Sequence, residues 1–172
     1  MYILLTCFDY EGSPSQKLVD RVRPMYSNSV NLKRVRRIAF PRMNAFFEAA
    51  SPEQILMFSE KKDIDKITLE QFAIQDGVLL ETTYNINKLK KALEIYHFDY
   101  DVNTVPTKNI ANAVYHFAMT RAEETYALTT VILISLPPLE KIKEFDRLCD
   151  FFTEYVAGET SILPKMYYRS WM

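Results

Sequence analysis

The sequence predicts a three-layer α/β/α domain with a mainly parallel, or mixed, central sheet. Three observations carry that reading. Short apolar runs alternate with helical stretches, which sets strands side by side under crossing helices. Runs such as Tyr2-Ile-Leu-Leu-Thr6 and Glu53-Gln-Ile-Leu-Met-Phe58 are almost continuously apolar, as strands covered on both faces are. The 172 residues, 48% hydrophobic and 25% charged, suit one globular domain. Residues 1–158 are expected to form it, and 159–172 an aromatic-rich tail.

The elements follow in order. Tyr2 to Thr6 is the first strand. Ser13 can cap a helix whose first turn accepts Pro14 and whose apolar side is Leu18, Val19 and Val22. Val30 to Phe40 is expected to hold the second strand, and Met43 to Ala50 a helix. Glu53 to Phe58 is a buried strand, Ser59 to Lys66 a charged loop, and Ile67 to Ile74 one alternating strand. Asn85 to Tyr96 is a helix with Ile86, Leu89, Leu93 and Tyr96 on one face. Tyr100 to Thr104 is a short strand, and Asn109 to Glu124 a helix turning Ile110, Ala113, Val114, Phe117 and Ala118 inward. Thr129 to Ser135 is β-branched and suits the sheet centre; Leu139 to Val156 is the last helix.

Composition excludes several functions. With 21 basic and 22 acidic residues, no global charge draws the chain to nucleic acid or an anionic surface. Three glycines, Gly12, Gly77 and Gly158, cannot build a phosphate-cradling loop. Two cysteines and two histidines are too few for a cysteine zinc site or a histidine-rich metal centre, and no cofactor is implied. No apolar stretch reaches the ~20 residues of a membrane span. The amino terminus lacks the basic region and cleavage site of a signal peptide, so a cytoplasmic protein is expected.

Four stretches, in this order, resemble the pyroglutamyl peptidase I family of cysteine peptidases, which remove an N-terminal pyroglutamate. Ile3-Leu-Leu-Thr-Cys-Phe-Asp-Tyr-Glu-Gly-Ser-Pro-Ser15 is similar to the opening strand and its T-G-F-x-P-F-G-G…N-P-S loop. Ile67-Thr-Leu-Glu-Gln-Phe-Ala-Ile74 resembles I-T-x-E-R-x-A-x-N. Asn103 to Phe117 stands where the family has S-x-x-A-G-x-x-x-C-N-x-x-x-Y, and Val131-Ile-Leu-Ile-Ser-Leu-Pro137 where it has F-I-H-V-P. The resemblance covers roughly residues 1–156.

It implies the fold, and it implies that the chemistry has gone. Family members use Cys, His and an acid. By position, Glu70 matches the acid, Ala111 replaces the nucleophile and Ser135 replaces the base. A methyl group cannot attack a carbonyl, and a serine hydroxyl does not titrate near neutral pH. Asn112 is retained. Phe8 is kept in the loop that would hold the pyroglutamyl ring, whereas Cys7, Glu11 and Ser13 replace Gly, Phe and Gly. The segment before Asp76-Gly77 is shorter than in the family. The expected function is therefore non-catalytic: a small molecule or peptide N-terminus bound in the old cleft by Phe8, Tyr10, Glu11, Glu70, Asn112 and Ser135, or an interaction domain.

Two alternatives stand beside it. An active peptidase or amidohydrolase would need a relocated nucleophile, for which Cys7 is the plausible thiol; its plainer role is a small buried hydrophobe, as for Cys149. A regulatory or nucleic-acid-contacting protein would use the basic run 33–37 (Lys33, Arg34, Arg36, Arg37), which reads more simply as a solvated strand edge. His116 is expected to pack on its helix, and His97 to lie at a surface or helix end. The tail carries Met166, Tyr167, Tyr168, Arg169 and Trp171; it is expected to pack on the domain, with contact to a partner as the alternative.

Overall fold

The computed structural model describes residues 3–8, 12–22, 29–32, 36–49, 52–125 and 128–160. Its strands are β1 (Ile3–Phe8), β2 (Ser29–Asn31), β3 (Gln54–Glu60), β4 (Ile67–Glu70), β5 (Phe72–Gln75), β6 (Val78–Glu81), β7 (Tyr100–Asn103) and β8 (Thr130–Leu136). The helices are α1 (Pro14–Val22), α2 (Arg36–Ala49), α3 (Ile86–Ile95), α4 (Ile110–Glu124) and α5 (Phe145–Thr160). A six-stranded sheet runs β2-β1-β3-β8-β4-β7. β2, β1, β3 and β8 are parallel, β4 pairs antiparallel with β8, and β7 pairs parallel with β4. The sheet is thus mainly parallel but mixed, with β8 inside it as its β-branched sequence suggests.

Alternation along the strands divides the core in two. Ile3, Leu5, Cys7, Leu56, Phe58, Leu69, Ile132 and Ile134 face α1, α3 and α5. Leu4, Phe8, Ile55, Met57, Val131 and Leu133 face α2 and α4. Helices on both faces make the expected three layers. Helix ends follow local chemistry. Asn85 caps α3 by accepting from the Lys88 N–H, and Asn109 caps α4 by accepting from the Asn112 N–H. His97, exposed and with φ of 59°, ends the chain's run through α3 in the left-handed region.

Four expectations need correction. Within Val30 to Phe40 only a short strand ends at Asn31, and helix has begun by Arg36. Pro41 lies inside α2, although proline removes an intrahelical hydrogen bond and usually marks a helix boundary. Arg36 and Arg37 therefore lie on a helix, not on a strand edge, while Lys33 and Arg34 fall outside the described residues. Ile67 to Ile74 is two strands, not one. After Glu70 the chain leaves the main sheet, and β5 pairs with β6 across the two-residue turn Asp76-Gly77. Both turn residues have positive φ, 50° and 78°, which Asp and Gly tolerate in a type I′ hairpin. Finally, the last helix begins at Phe145, after a 3₁₀ turn over Leu139–Lys141.

Candidate functional site

The parallel strands end together on one rim, beside the antiparallel β8–β4 junction. Open α/β sheets place ligands at such C-terminal rims, where strand order or direction switches. Register sets Phe8 against Ser59, Ser59 against Ser135, and Ser135 against Thr68, a row crossing four strands. Ser59, Ser135, Thr68 and Glu70 are all buried polar residues in strands otherwise filled with aliphatic side chains. By alternation, the row and Glu70 point to the α2/α4 face.

Glu70, 2% exposed, is the centre of the polar contacts. Its Oε1 accepts from Ser135 Oγ at 2.7 Å and its Oε2 from Asn103 Nδ2 at 2.6 Å. Lys61 Nζ stands 3.6 Å from Oε1, and the Lys61 backbone N–H donates to the Leu136 carbonyl at 2.8 Å. One carboxylate thus ties together β4, β8, β7 and the loop after β3. The Glu70 carbonyl also accepts from the Tyr115 hydroxyl on α4 at 2.9 Å. Burial pushes that phenol well above its ordinary range, the nearby Glu70 charge pushes it the same way, and Tyr115 stays neutral.

Ala111 occupies the first turn of α4 and packs in the same apolar cluster as Phe8 and Leu133. Leu133 is the register partner of Glu70 and lies two residues before Ser135 on the same face. Asn112, the residue after Ala111, is buried and bonds to β5. Its Oδ1 accepts from the Ile74 N–H at 3.1 Å and its Nδ2 reaches toward the Phe72 carbonyl at 3.5 Å. A primary amide presents one acceptor and one donor side by side, so Asn112 closes the outer edge of β5 much as a neighbouring strand would.

Of the residues expected from sequence, Glu70 and Ser135 meet directly, and Ala111, Asn112 and Phe8 lie on the same side of the sheet. Phe8 is wholly buried, and Ser15 Oγ donates to its carbonyl. Tyr10 and Glu11 lie outside the described residues. Cys7 does not join the group: it faces the α1/α3/α5 core among Ile3, Leu5 and Leu18. His116 sits on α4 with Nδ1 near Thr120 Oγ1 and a buried Nε2 that has no hydrogen-bond partner. Lys61 and Asn103 were missed; Asn103 lies within the quoted stretch of the third motif, but nothing local to it announces a carboxylate partner 33 residues away. Among the described residues no group of His, Cys, Asp and Glu could hold a metal ion, and no helix is long and apolar enough to cross a membrane.

The architecture is an α/β/α domain with a mixed central sheet, in which Glu70 and Ser135 meet near one rim. The solved structures that share this fold include pyrrolidone carboxyl peptidases. A mutant pyrrolidone carboxyl peptidase from the hyperthermophile Pyrococcus furiosus superposes with a TM-score of 0.78 at 14% identity, covering 95% of this chain and 100% of that one. Pyroglutamyl peptidase I of Bacillus amyloliquefaciens gives 0.76 at 15% identity, covering 88% and 92%. The Thermococcus litoralis pyrrolidone carboxyl peptidase gives 0.73 at 14% identity, covering 95% and 98%. The fold is pyroglutamyl peptidase I-like. No family model matches the sequence, and no curated protein matches it significantly.

Proposed function

We propose that this chain keeps the pyroglutamyl peptidase I-like fold without cysteine peptidase chemistry and serves as a non-catalytic ligand-binding or interaction domain. The observation that carries the reading is the bond between Glu70 and Ser135. The acid of the resemblance accepts from a hydroxyl where an imidazole would be needed, and it is further engaged by Asn103 and by the Lys61 ammonium. Ala111 offers a methyl group at the helix start, where a thiol would gain from the helix dipole. The relocated-thiol alternative draws no support from Cys7, which is buried on the opposite face.

Purified protein should release no coumarin from a pyroglutamyl-coumarin amide, and Cys7→Ser should change nothing. Turnover that disappears in Cys7→Ser would overturn the reading. The scaffold can also be asked whether positions 111 and 135 meet. Ala111→Cys with Ser135→His should react faster with iodoacetamide near pH 7 than Ala111→Cys alone, because an imidazole in reach lowers a thiol pKa from about 8.5. Equal rates would break the positional correspondence. Brisk pyroglutamyl turnover by the double variant would instead show that the binding pocket has not diverged.

A further inference from the structure

A groove opens behind Glu70 and Asn103, on the other face of the sheet. Gln71 and Val102 are the neighbours of those two residues in sequence, and by alternation they turn the opposite way. There they line a cavity of about 340 Å³ together with Glu81 at the end of β6 and Ile86, Asn87 and Lys90 in the first turns of α3. That volume is at the low end of small-molecule sites, which run from roughly 300 to 1,000 Å³. The frame of the cavity is braced by bonds between elements. The Gln71 N–H donates to the Asn103 carbonyl at 3.0 Å, and the Thr82 N–H to the Gln71 carbonyl at 2.9 Å. Thr82 Oγ1 donates to the Val131 carbonyl and accepts from the Tyr84 N–H at 3.1 Å. Gln71 Nε2 donates to Glu81 Oε1 at 2.7 Å, which fixes that carboxylate on one wall.

Two opposite charges line this cavity without meeting. Lys90 is half-buried and forms no ion pair or hydrogen bond among the described residues. Glu94, one turn further along α3, is the carboxylate that would ordinarily take it, but Glu94 Oε1 accepts from the Tyr100 hydroxyl at 2.5 Å. Helical side chains lean toward the N-terminus, which carries the Lys90 stem toward Asn87 and the cavity. Glu81 Oε2 likewise has no partner among the described residues. Ile86 and Val102, both packed against the apolar cluster under α3, supply an apolar wall. We propose that the cavity binds a free amino acid with an apolar side chain, its carboxylate against Lys90, its ammonium against Glu81 and its side chain against Ile86 and Val102. Hydrogen bonds between ionised partners are about twice as strong as neutral ones, so both ends of such a zwitterion contribute. A singly charged ligand leaves one of the two charges unanswered. The site faces away from Ser135 and Ala111, so it goes beyond the non-catalytic reading of the Glu70 group and does not depend on it.

Titration of the isotope-labelled full chain with L-leucine, followed by NMR, tests this directly. The amides of Gln71, Glu81, Asn87 and Lys90 should shift saturably, with a Kd in the ~mM range. Two analogues each lack one charge: isopentylamine has no carboxylate and isocaproate no amine. Each should bind at least ~10-fold more weakly than leucine. Lys90→Met should lose the preference for leucine over the amine, and Glu81→Gln the preference over the acid, while the rest of the spectrum stays in place. Absence of saturable shifts up to ~50 mM leucine overturns the proposal. So do shifts centred elsewhere on the chain, analogues that bind as well as leucine, or a leucine affinity unchanged in both variants. Turnover of the pyroglutamyl-coumarin amide would overturn the reading of the Glu70 group alone and leave this result standing.

Discussion

The two faces of the central sheet are built on opposite terms. The face under α1, α3 and α5 is a dense apolar and aromatic layer. Phe58 meets Phe152 edge-on at 4.9 Å between ring centroids, and Phe151 packs against Phe152 at 4.9 Å and Tyr96 at 5.0 Å. Its inward polar atoms include the hydroxyls of Tyr84 and Tyr155, which bond one another. The face under α2 and α4 carries Thr6, Ser59, Thr68, Glu70 and Ser135 among its aliphatic residues. Burying a polar group without a partner costs about 1–3 kcal/mol, so such residues do not collect on one face for packing alone. One face is packed with apolar and aromatic side chains; the other gathers the buried polar residues around Glu70.

The comparison is broken most forcefully from the apolar side. Phe152→Ala removes a wholly buried ring that touches both Phe58 and Phe151. Deletions of this kind cost about 3–5 kcal/mol, so urea unfolding should show a midpoint falling by a large fraction of the transition. A loss below about 1 kcal/mol would mean that this face does not carry the stability assigned to it.

The polar face should answer less strongly and in a graded way. Glu70→Ala strands Ser135, Asn103 and Lys61 at once, and is expected to cost about 3 kcal/mol. Ser135→Ala removes one donor while Asn103 and Lys61 remain, and should cost about 1 kcal/mol. Equal effects from the two changes, read by urea denaturation, would show that Glu70 is not the hub of the network.

The same contrast explains what was legible in the sequence. β1, β3 and β8 announce themselves because burial on both faces leaves unbroken apolar runs. α3 and α4 announce themselves through apolar residues at helical spacing, Ile86, Leu89 and Leu93 on one and Ile110, Val114 and Ala118 on the other. The break between β4 and β5 was not legible: alternation continues through Gln71, and nothing in a period of two records that the partner strand has changed. β6 lies within reach of the sequence, since Asp76-Gly77 between apolar residues is a strong hairpin signal, but residues 78–81 carry no element in the reading above. At the site, Glu70, Ala111 and Ser135 were found through resemblance. Lys61 and Asn103 were not, because their role exists only once the β3 loop and β7 have been folded against β4.

The smallest expected effect sharpens the contrast through pH. Cys149 lies on α5, within the apolar face. Burial pushes its thiol up to about 11, with Asp146 and Asp150 adding to the shift and Arg21 opposing it. In the unfolded chain the thiol ionises near 9. The folded protein therefore holds this proton more tightly than the unfolded one. The resulting stability is fully present below pH ~9 and is lost as pH rises through the folded value of about 11. Cys149→Ala removes the titrating group but leaves every other alkaline ionisation in place. At pH 8 it should show only the cost of a smaller side chain. Between pH 9 and 11 its urea midpoint should fall less steeply than that of the parent. Ser135→Ala, on the other face, removes nothing that ionises in this range, so its stability should follow the parent's pH profile at a constant offset. Parallel profiles for all three proteins would show that the Cys149 thiol is hydrated after all, and that the face beneath α5 is not the sealed layer its aromatic packing describes.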